Sequence, residues 1–420
     1  MVDIAKTELA IFDKSPKQIV VEKGQWIDIH PINSISGTSP IQFEITGAEH
    51  DYLDLNDSQL FVKFKINNIP AGSAICNFGL HSLFSDIRVT LNDTQIEGGS
   101  FLYPYKALIS TLVQYGREAK TTFLEASGFK KDQPGQFESA TNTGHVYRSA
   151  WTTNGRSHHF TGPLFLDIFS QSKYLINKVN VGITLYKSSV DFVLNHFANL
   201  AADAQRPEIV IEQAILYVRK CKVSDQVLMG HEIGLSKQPA IYPINRTLLT
   251  TFNIPAGGQT FNRENIFHGQ LPKLIIFGMV ENRAYTGNLK HNPFNFQHFN
   301  ATKLSLFLDG ESIPFRPAEP SFNTGNYTRE YLQMFHMFGE FNQDSGSYLT
   351  MNDFINGNML MCYSLAPDLE LVSHSQPIKD GNVRIEIQFG IALTNAVNMI
   401  VFGVFDSEIH ITAERSVTIW

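Results

Sequence analysis

The sequence is poor in charged residues, which make up 17% of its 420 positions, against about a quarter in typical soluble domains. The formal net charge is −7. This balance argues against a general nucleic-acid-binding protein, which needs a basic surface, but it leaves room for one local basic patch. So few charges indicate surface that is buried in an oligomer; a large core within one chain is the alternative explanation.

Cysteine and long apolar runs are also scarce. Cys76, Cys221 and Cys362 form no closely spaced pair, so we expect small buried residues in a protein made in a reducing compartment, either cytoplasm or nucleus. No run of about 18 apolar residues occurs, which predicts no membrane span. The N-terminal residues lack an apolar h-region, so we expect no signal peptide.

The sequence motifs of common enzymes are missing. There is no nucleophile elbow, no phosphate-binding P-loop and no dinucleotide-binding glycine motif. The pair His231-Glu232 lacks a second histidine four residues on, and His158-His159 stands in a polar stretch; we expect both pairs in loops. The H-x-H pattern of cupin metal sites does not occur. We therefore expect no enzyme, no catalytic residue, no cofactor and no metal ligand.

What the sequence does contain is a well-marked unit over residues 80–116. Ile87, Val89 and Leu91 alternate with polar residues, as in a half-buried strand, and Asn92-Asp93 supplies a turn. Pro104 then marks the start of a helix. Its apolar stripe at helical spacing consists of Tyr105, Leu108, Ile109, Leu112 and Val113.

The same unit occurs again in the second half of the chain. Leu304, Leu306 and Leu308 alternate before the turn Asp309-Gly310. A second helical stripe follows at Tyr331, Met334, Phe335 and Phe338. The order of elements favours an internal duplication, and coincidence between two ordinary β domains is the alternative.

Further stretches extend this correspondence. The alternation over 179–185 matches that over 383–389, and Phe43 is matched with Phe252. Each half then has about eight strands at short spacing and one helix, which is typical of a sandwich built from two Greek keys.

We therefore predict an all-β fold of two tandem eight-stranded jelly rolls, a double jelly roll, each with a short amphipathic helix. The expected divisions are an N-terminal arm (1–40), a first jelly roll (41–222), a linker (223–240) and a second jelly roll (241–420). The segment 117–163 is expected to be a long polar loop, and 314–326 a shorter one.

Four strings in the first half resemble a known family. They are TELAIFDKSPKQIVVEKGQWIDIHPI, DYLDLNDSQLFVKFKI, LHSLFSDIRVTLND and FLYPYKALI. Together they resemble the major capsid proteins of double jelly-roll DNA viruses, and they are most similar to those of Polinton/Maverick elements and adintoviruses. The strings cover roughly residues 8 to 113, about a quarter of the chain.

The resemblance implies a structural protein of the virion. It implies a homotrimeric capsomer with a pseudo-hexagonal outline, which contacts neighbouring capsomers in an icosahedral shell and a separate vertex (penton) protein. The family has no catalytic residues to transfer. In this setting the arm 1–40 would reach a neighbouring capsomer or an inner protein, with Phe12 and Trp26 as anchors.

Two alternatives stay open from the residues alone. One is a carbohydrate-binding or bicupin-like protein of two jelly rolls, for which Trp151 is the one candidate aromatic platform. The other concerns the basic residues Arg219, Lys220 and Lys222: they could touch nucleic acid inside a shell or could be a solvated strand end. No specific nucleic-acid site is evident.

Overall fold

The computed structural model describes residues 18–199, 205–341, 343–344, 346–367, 369 and 376–420. The strands are β1 Val21–Ile29, β2 Ile41–Ile45, β3 Asp51–Asn67, β4 Ala74–Ile75, β5 Phe84–Leu91, β6 Thr94–Glu97, β7 His158–Pro163, β8 Val181–Lys187, β9 Leu194–Asn195, β10 Glu208–Val223, β11 Ala240–Ile254, β12 Thr260–Arg263, β13 Leu274–Glu281, β14 Ala301–Leu308, β15 Glu311–Ala318, β16 Leu360–Ser364, β17 Val383–Phe389, β18 Val397–Ile411 and β19 Val417–Ile419. The helices are α1 Gly79–Ser82, α2 Tyr103–Gln114, α3 Arg117–Thr121, α4 Phe123–Ala126, α5 Thr143–Thr152, α6 Val190–Val193, α7 Asp225–Leu235, α8 Asn282–Thr286, α9 Thr328–Met337 and α10 Met351–Ile355.

The long strands form four antiparallel sheets that repeat one topology. In the first half the strand orders are β1-β10-β3-β7 and β2-β8-β5-β6. In the second half they are β11-β18-β13-β16, with β19 added on β18, and β12-β17-β14-β15. Matching the strands in chain order converts the first pair of sheets into the second. Each half is a jelly roll, and the predicted double jelly roll is confirmed.

The hairpin turns of the two rolls are equivalent. Asn92 (φ 44°) and Asp93 (φ 68°) join β5 to β6, and Asp309 (φ 49°) and Gly310 (φ 92°) join β14 to β15. Two-residue loops with both φ values positive suit the right-handed twist of the flanking strands, and Asn, Asp and Gly adopt them at least cost. Both turns lie where the sequence predicts them.

One predicted correspondence between the rolls is wrong. Phe43 lies on β2, whereas Phe252 lies on β11, which is the counterpart of β1. The counterpart of β2 is β12, where Phe261 pairs with Ile387 of β17. The four-residue β12 carries a single large apolar residue, so it gives almost no alternation signal.

The helices α2 and α9 lie where the two apolar stripes predict them, but the segment 117–163 is not a loop. It contains α3, α4, α5 and β7. His158 and His159 both belong to β7, so their predicted loop position is also wrong. The first of the two short helices has five residues and the next four, too few for a periodic pattern to show.

The expected arm and linker both contain regular structure. Within 1–40, β1 pairs with β10 along its length and joins the first sheet. Residues 1–17, and with them Phe12, lie outside the described residues. Within 223–240, α7 includes His231 and Glu232, so the predicted loop position of this pair is wrong. His231 Nδ1 is 2.8 Å from the Tyr52 hydroxyl, and Glu232 accepts a hydrogen bond from Arg415 at 2.8 Å.

In the sheet β11-β18-β13-β16, the two central strands β18 and β13 are buried on both faces. On β13, Leu274 and Ile276 belong to the apolar cluster of the first roll, whereas Ile275 and Phe277 belong to that of the second. β18 alternates in the same way, with Ile400, Phe402 and Val404 in the first cluster and Met399, Val401 and Phe405 in the second. One face therefore packs inside its own sandwich, and the other packs against the first roll.

A buried ion pair fixes α5 to the rest of the first roll. Arg148 Nη2 lies 2.8 Å from Asp132 Oδ1, and both side chains are 1% exposed. Arg148 Nε also donates to the carbonyl of Ile75 at 2.9 Å, and Nη1 donates to that of Lys130 at 3.0 Å. These bonds join α5, β4 and the segment around Lys130.

Replacing Arg148 with Met should reduce the free energy of unfolding by about 3–5 kcal/mol, because the Asp132 carboxylate would stay buried without its cation. Chemical denaturation measures this loss. The exposed Arg156→Met is the matched control. The double variant Arg148→Met/Asp132→Leu should recover part of the loss, and a loss below about 1 kcal/mol in the single variant would contradict the assignment.

Candidate assembly surfaces

The described part of the chain has no exposed cysteine thiol. Cys76, Cys221 and Cys362 are free and buried, and burial raises the pKa of Cys76 to about 12. No group of three or more His, Cys, Asp or Glu side chains converges there in an arrangement able to hold a metal. No described helix is both long and apolar enough to cross a membrane.

Trp151, the candidate aromatic platform, is stacked within the protein. Its ring lies 5.3 Å from that of His158 at an interplanar angle of 7°, and the edge of Phe160 packs at 5.3 Å. Burial lowers the pKa of His158 to about 4, so this imidazole is neutral at pH 7. One face of the indole is therefore already occupied by a neutral ring.

The basic residues at the end of β10 are paired with acids. Arg219 contacts Asp54 at 3.0 Å and Asp57 at 2.8 Å. Lys222 contacts Glu22 at 2.9 Å, and Lys220 lies 3.9 Å from an oxygen of Asp51. This local neutralisation reduces the positive charge that a nucleic acid would meet there.

A buried charge cluster lies between the two rolls. Lys106 of α2 contacts Glu97 and donates to Asp167 at 2.6 Å, with every side chain at most 9% exposed. Asp167 also accepts the backbone N–H of Thr247, on β11, at 2.8 Å. The cluster thereby links the helix of the first roll to a strand of the second. It borders a cavity of about 670 Å³ that Leu274 and other residues of both rolls line.

Glu97 and Asp167 share one cation, Lys106, and this arrangement leaves the pKa of Glu97 above its usual value. Burial, and then the charge of Asp167, raise the pKa of Glu97 to about 7. The unfolded chain ionises this group near 4.5. Between these values the folded state holds a proton that the unfolded state has released, so folding is favoured at low pH and loses stability as the pH rises toward 7.

The variant Glu97→Gln should weaken this pH dependence. We expect the wild-type melting temperature to fall between pH 5 and pH 8 by more than that of the variant, because Gln does not ionise. Differential scanning fluorimetry at both pH values measures the two slopes. Glu118→Gln, at an exposed position of α3, is the control, and equal slopes in all three proteins would contradict this role for Glu97.

The loops of the two rolls also meet at polar contacts. Lys131 donates to Asp353 at 2.7 Å and to the carbonyl of Tyr348 at 2.9 Å. Lys120 donates to the carbonyls of Leu112 and Ser347 at 2.9 and 2.5 Å. Burial lowers the pKa of Lys120 to about 7. Together with the shared sheet, these contacts make one unit of the two rolls.

The outward face of the sheet β1-β10-β3-β7 carries a few large apolar side chains among charged ones such as Asp28 and Arg219. Ile215 of β10 pairs with Phe61 of β3, and Tyr217 pairs with Asp28 of β1. Trp26 lies on the same face, opposite Arg219, and is 50% exposed. Ile215 is buried but belongs to neither apolar cluster, since it points away from both. We call Trp26, Phe61, Ile215 and Tyr217 the aromatic face.

Two more apolar surfaces are exposed. On α9, Leu332 is 44% exposed, whereas Met334 is buried against the first cluster and Gln333 donates to the carbonyl of Cys362 at 2.9 Å. Beside α7, an apolar groove of about 510 Å³ is lined by Val20, Leu235 and other residues. Of the residues on these three surfaces, Trp26 is predicted from the sequence; the others become recognisable only from the register and burial of the folded chain.

Comparisons with known proteins show the same double fold at low identity. A chain in the structure of the Sputnik virophage has a TM-score of 0.68 and 13% identity, over 100% of this chain and 93% of that one. A chain of the PBCV-1 virus capsid has a TM-score of 0.61 and 12% identity, over 97% of this chain and 99% of that one. The mavirus major capsid protein has a TM-score of 0.55 and 12% identity, over 100% and 95%.

In sequence, an uncharacterized protein of Caenorhabditis elegans is 23% identical over 390 residues, which cover 89% of this chain and 91% of that protein. No family model matches. At these identities the structural matches establish the fold, which the chain shares over nearly its full length with proteins of viral capsids.

Proposed function

We propose that this chain is a major capsid protein that assembles into the icosahedral shell of a DNA virus or virus-derived element. Its function is self-association, without a reaction and without a cofactor. Homotrimers with a pseudo-hexagonal outline are the building units, and the virion is the place where the protein acts. A separate vertex protein fills the five-fold positions.

The observation that carries this proposal is the structural match to the mavirus major capsid protein, which covers 100% of this chain and 95% of that one. Three properties of the chain support it. Both rolls pack through one doubly buried sheet, so they form a single building block. Apolar side chains are exposed on the aromatic face, on α9 and at the groove beside α7. The low charge content suits surfaces that become buried on assembly.

Within this class we propose that the chain is related to the capsid proteins of Polinton/Maverick elements and adintoviruses. The strings between residues 8 and 113 support this finer placement. A relative of nearly equal length in a nematode fits an element that resides in animal genomes.

We further propose that the N-terminal segment contacts a neighbouring capsomer, with Phe12 as one anchor. Val20, near the start of the described chain, lines the apolar groove beside α7. A segment that joins the fold beside this groove can continue over its own capsomer or onto a neighbouring capsomer. Trp26 lies on β1, which pairs with β10, so a contact between Trp26 and a neighbouring capsomer would be made from this sheet and not from the N-terminal segment.

The solution mass of the purified protein tests the proposed function. A homotrimer should appear in light scattering at about 142 kDa, three times the chain mass of 47.2 kDa, and negative-stain images should show pseudo-hexagonal particles. A monomer at all concentrations, with no assembly in any salt or pH, would contradict a capsid role.

Deleting residues 1–17 tests the N-terminal segment separately. The deletion removes Phe12 and leaves β1 in place. We expect trimers of unchanged stoichiometry but fewer closed shells, counted by electron microscopy, because the segment acts between capsomers. The matched control carries Phe12→Ala alone and should show a smaller loss. Trimers lost on deletion would overturn this assignment.

A further inference from the structure

The buried charge cluster between the rolls holds one amine against two carboxyl groups. Lys106 Nζ donates to Asp167 Oδ1 at 2.6 Å and also contacts Glu97 Oε1. Each of the three side chains is at most 9% exposed. An amine and a carboxyl group that are held together and shielded from water are placed for condensation to an amide. The cluster therefore has the components of a covalent crosslink that needs no cysteine.

We propose that Lys106 and Asp167 condense once in each folded chain to form an isopeptide bond, with Glu97 transferring the protons. Lys106 Nζ forms a bond to Asp167 Cγ, and the bond between Cγ and Oδ1 breaks. Of the three ammonium hydrogens, two leave with Oδ1 as water and one stays on the amide nitrogen. The opposite charges of the two groups cancel, so the step needs no oxidant, reductant or co-reactant. It occurs once per chain and involves no turnover.

The atoms at the reacting carbon are placed for this attack. Because Nζ lies 2.6 Å from Oδ1, it lies about 3–3.5 Å from the carboxyl carbon of Asp167, which is the separation of a near-attack arrangement. The oxygen that stays, Oδ2, accepts the backbone N–H of Thr247 at 2.8 Å. Negative charge develops on this oxygen as Nζ adds to the carbon, and a fixed N–H stabilises that charge. Thr247 belongs to β11, so the site is complete only when the two rolls are packed together.

Glu97 is placed to move the protons. Its Oε1 contacts the Lys106 amine, and its Oε2 accepts the backbone N–H of Asp167 at 2.6 Å. Burial lowers the pKa of Lys106, but the two carboxylates raise it further, so the amine begins as an ammonium and must lose a proton before it attacks. Since burial and the charge of Asp167 raise the pKa of Glu97 to about 7, this carboxyl group can both accept and release a proton near neutral pH.

A second buried pair lacks the third group and serves as an internal comparison. Lys273 Nζ lies 2.5 Å from Asp406 Oδ1, and the two side chains are 9% and 12% exposed. This amine also donates to the side-chain oxygen of Asn245 at 2.7 Å. An amide oxygen does not take up a proton at neutral pH, so Asn245 cannot do what Glu97 does. We expect Lys273 and Asp406 to remain an ion pair.

The bond closes a loop in the first roll. Lys106 and Asp167 are 61 positions apart, and the chain between them contains α3, α4, α5 and β7. A crosslink across such a loop restricts the unfolded chain, as a disulfide does. Unlike a disulfide, an amide is not reduced in the compartment where the three free cysteines of this chain persist. The inference does not depend on the proposed trimer, because every reacting group belongs to one chain.

The mass of the denatured wild-type protein tests the bond directly. After the folded protein has been kept at pH 7 for days, we expect a mass lower by one water molecule than the mass calculated from the sequence. Trypsin should no longer cleave after Lys106, and tandem mass spectrometry should find a branched peptide that joins Lys106 to Asp167. The pair Lys273 and Asp406 should give no branched peptide. A wild-type chain of full mass that trypsin cleaves after Lys106 would overturn the proposal.

Variants test the roles of the groups in samples taken over time after cell-free synthesis. Lys106→Met should keep its full mass. Glu97→Gln should form the bond about a hundredfold more slowly or not at all, because an amide does not carry the protons, and Glu97→Asp should recover part of the rate. Glu118→Gln, at an exposed position of α3, is the matched control and should react like the wild type. Circular dichroism checks that each variant is folded, and a folded Glu97→Gln protein that reacts at the wild-type rate would contradict the role of Glu97.

Discussion

The architecture depends on one sheet whose two central strands, β18 and β13, have no solvent-facing side. In β11-β18-β13-β16, successive side chains of β13 and β18 enter two different apolar clusters. Since side chains of a strand alternate between faces, such a strand must be apolar at nearly every position. The runs LIIFGMV and VNMIVFGVF have this composition. Removing apolar surface from water on both faces stabilises the pairing of the two rolls in addition to the second roll itself.

This arrangement determines which charges the interface between the rolls can hold. A charge that is taken out of water there must find a partner, and Lys106 has two carboxylates while Lys120 has two backbone carbonyls. The pKa of Glu97 rises because burial and the second carboxylate, Asp167, outweigh the opposing effect of the single cation, Lys106. The interface between the rolls is therefore not only apolar. The hydrogen bond from the Thr247 N–H to Asp167 also fixes the position of β11 relative to the first roll.

Local features of this fold could be predicted from the sequence, and non-local ones could not. The turn at Asn92-Asp93 and the helix beginning near Pro104 depend on neighbouring residues only, and both lie as predicted. β12 and the helices of 117–163 are too short for a periodic signal. The aromatic face is a further case: its members come from three strands that meet only through pairing, so alternation within one strand could not reveal it.

The two equivalent sheets are covered unequally within the chain, and this difference decides how much apolar surface stays exposed. If both sheets were covered within the chain, little apolar surface would remain to drive assembly; if neither were covered, the isolated chain would expose two such faces and aggregate. Covering the sheet of the second roll leaves the aromatic face, where Trp26 is 50% exposed, as the counterpart that the chain itself does not cover. In the capsid role proposed above, this remaining surface is what association would remove from water.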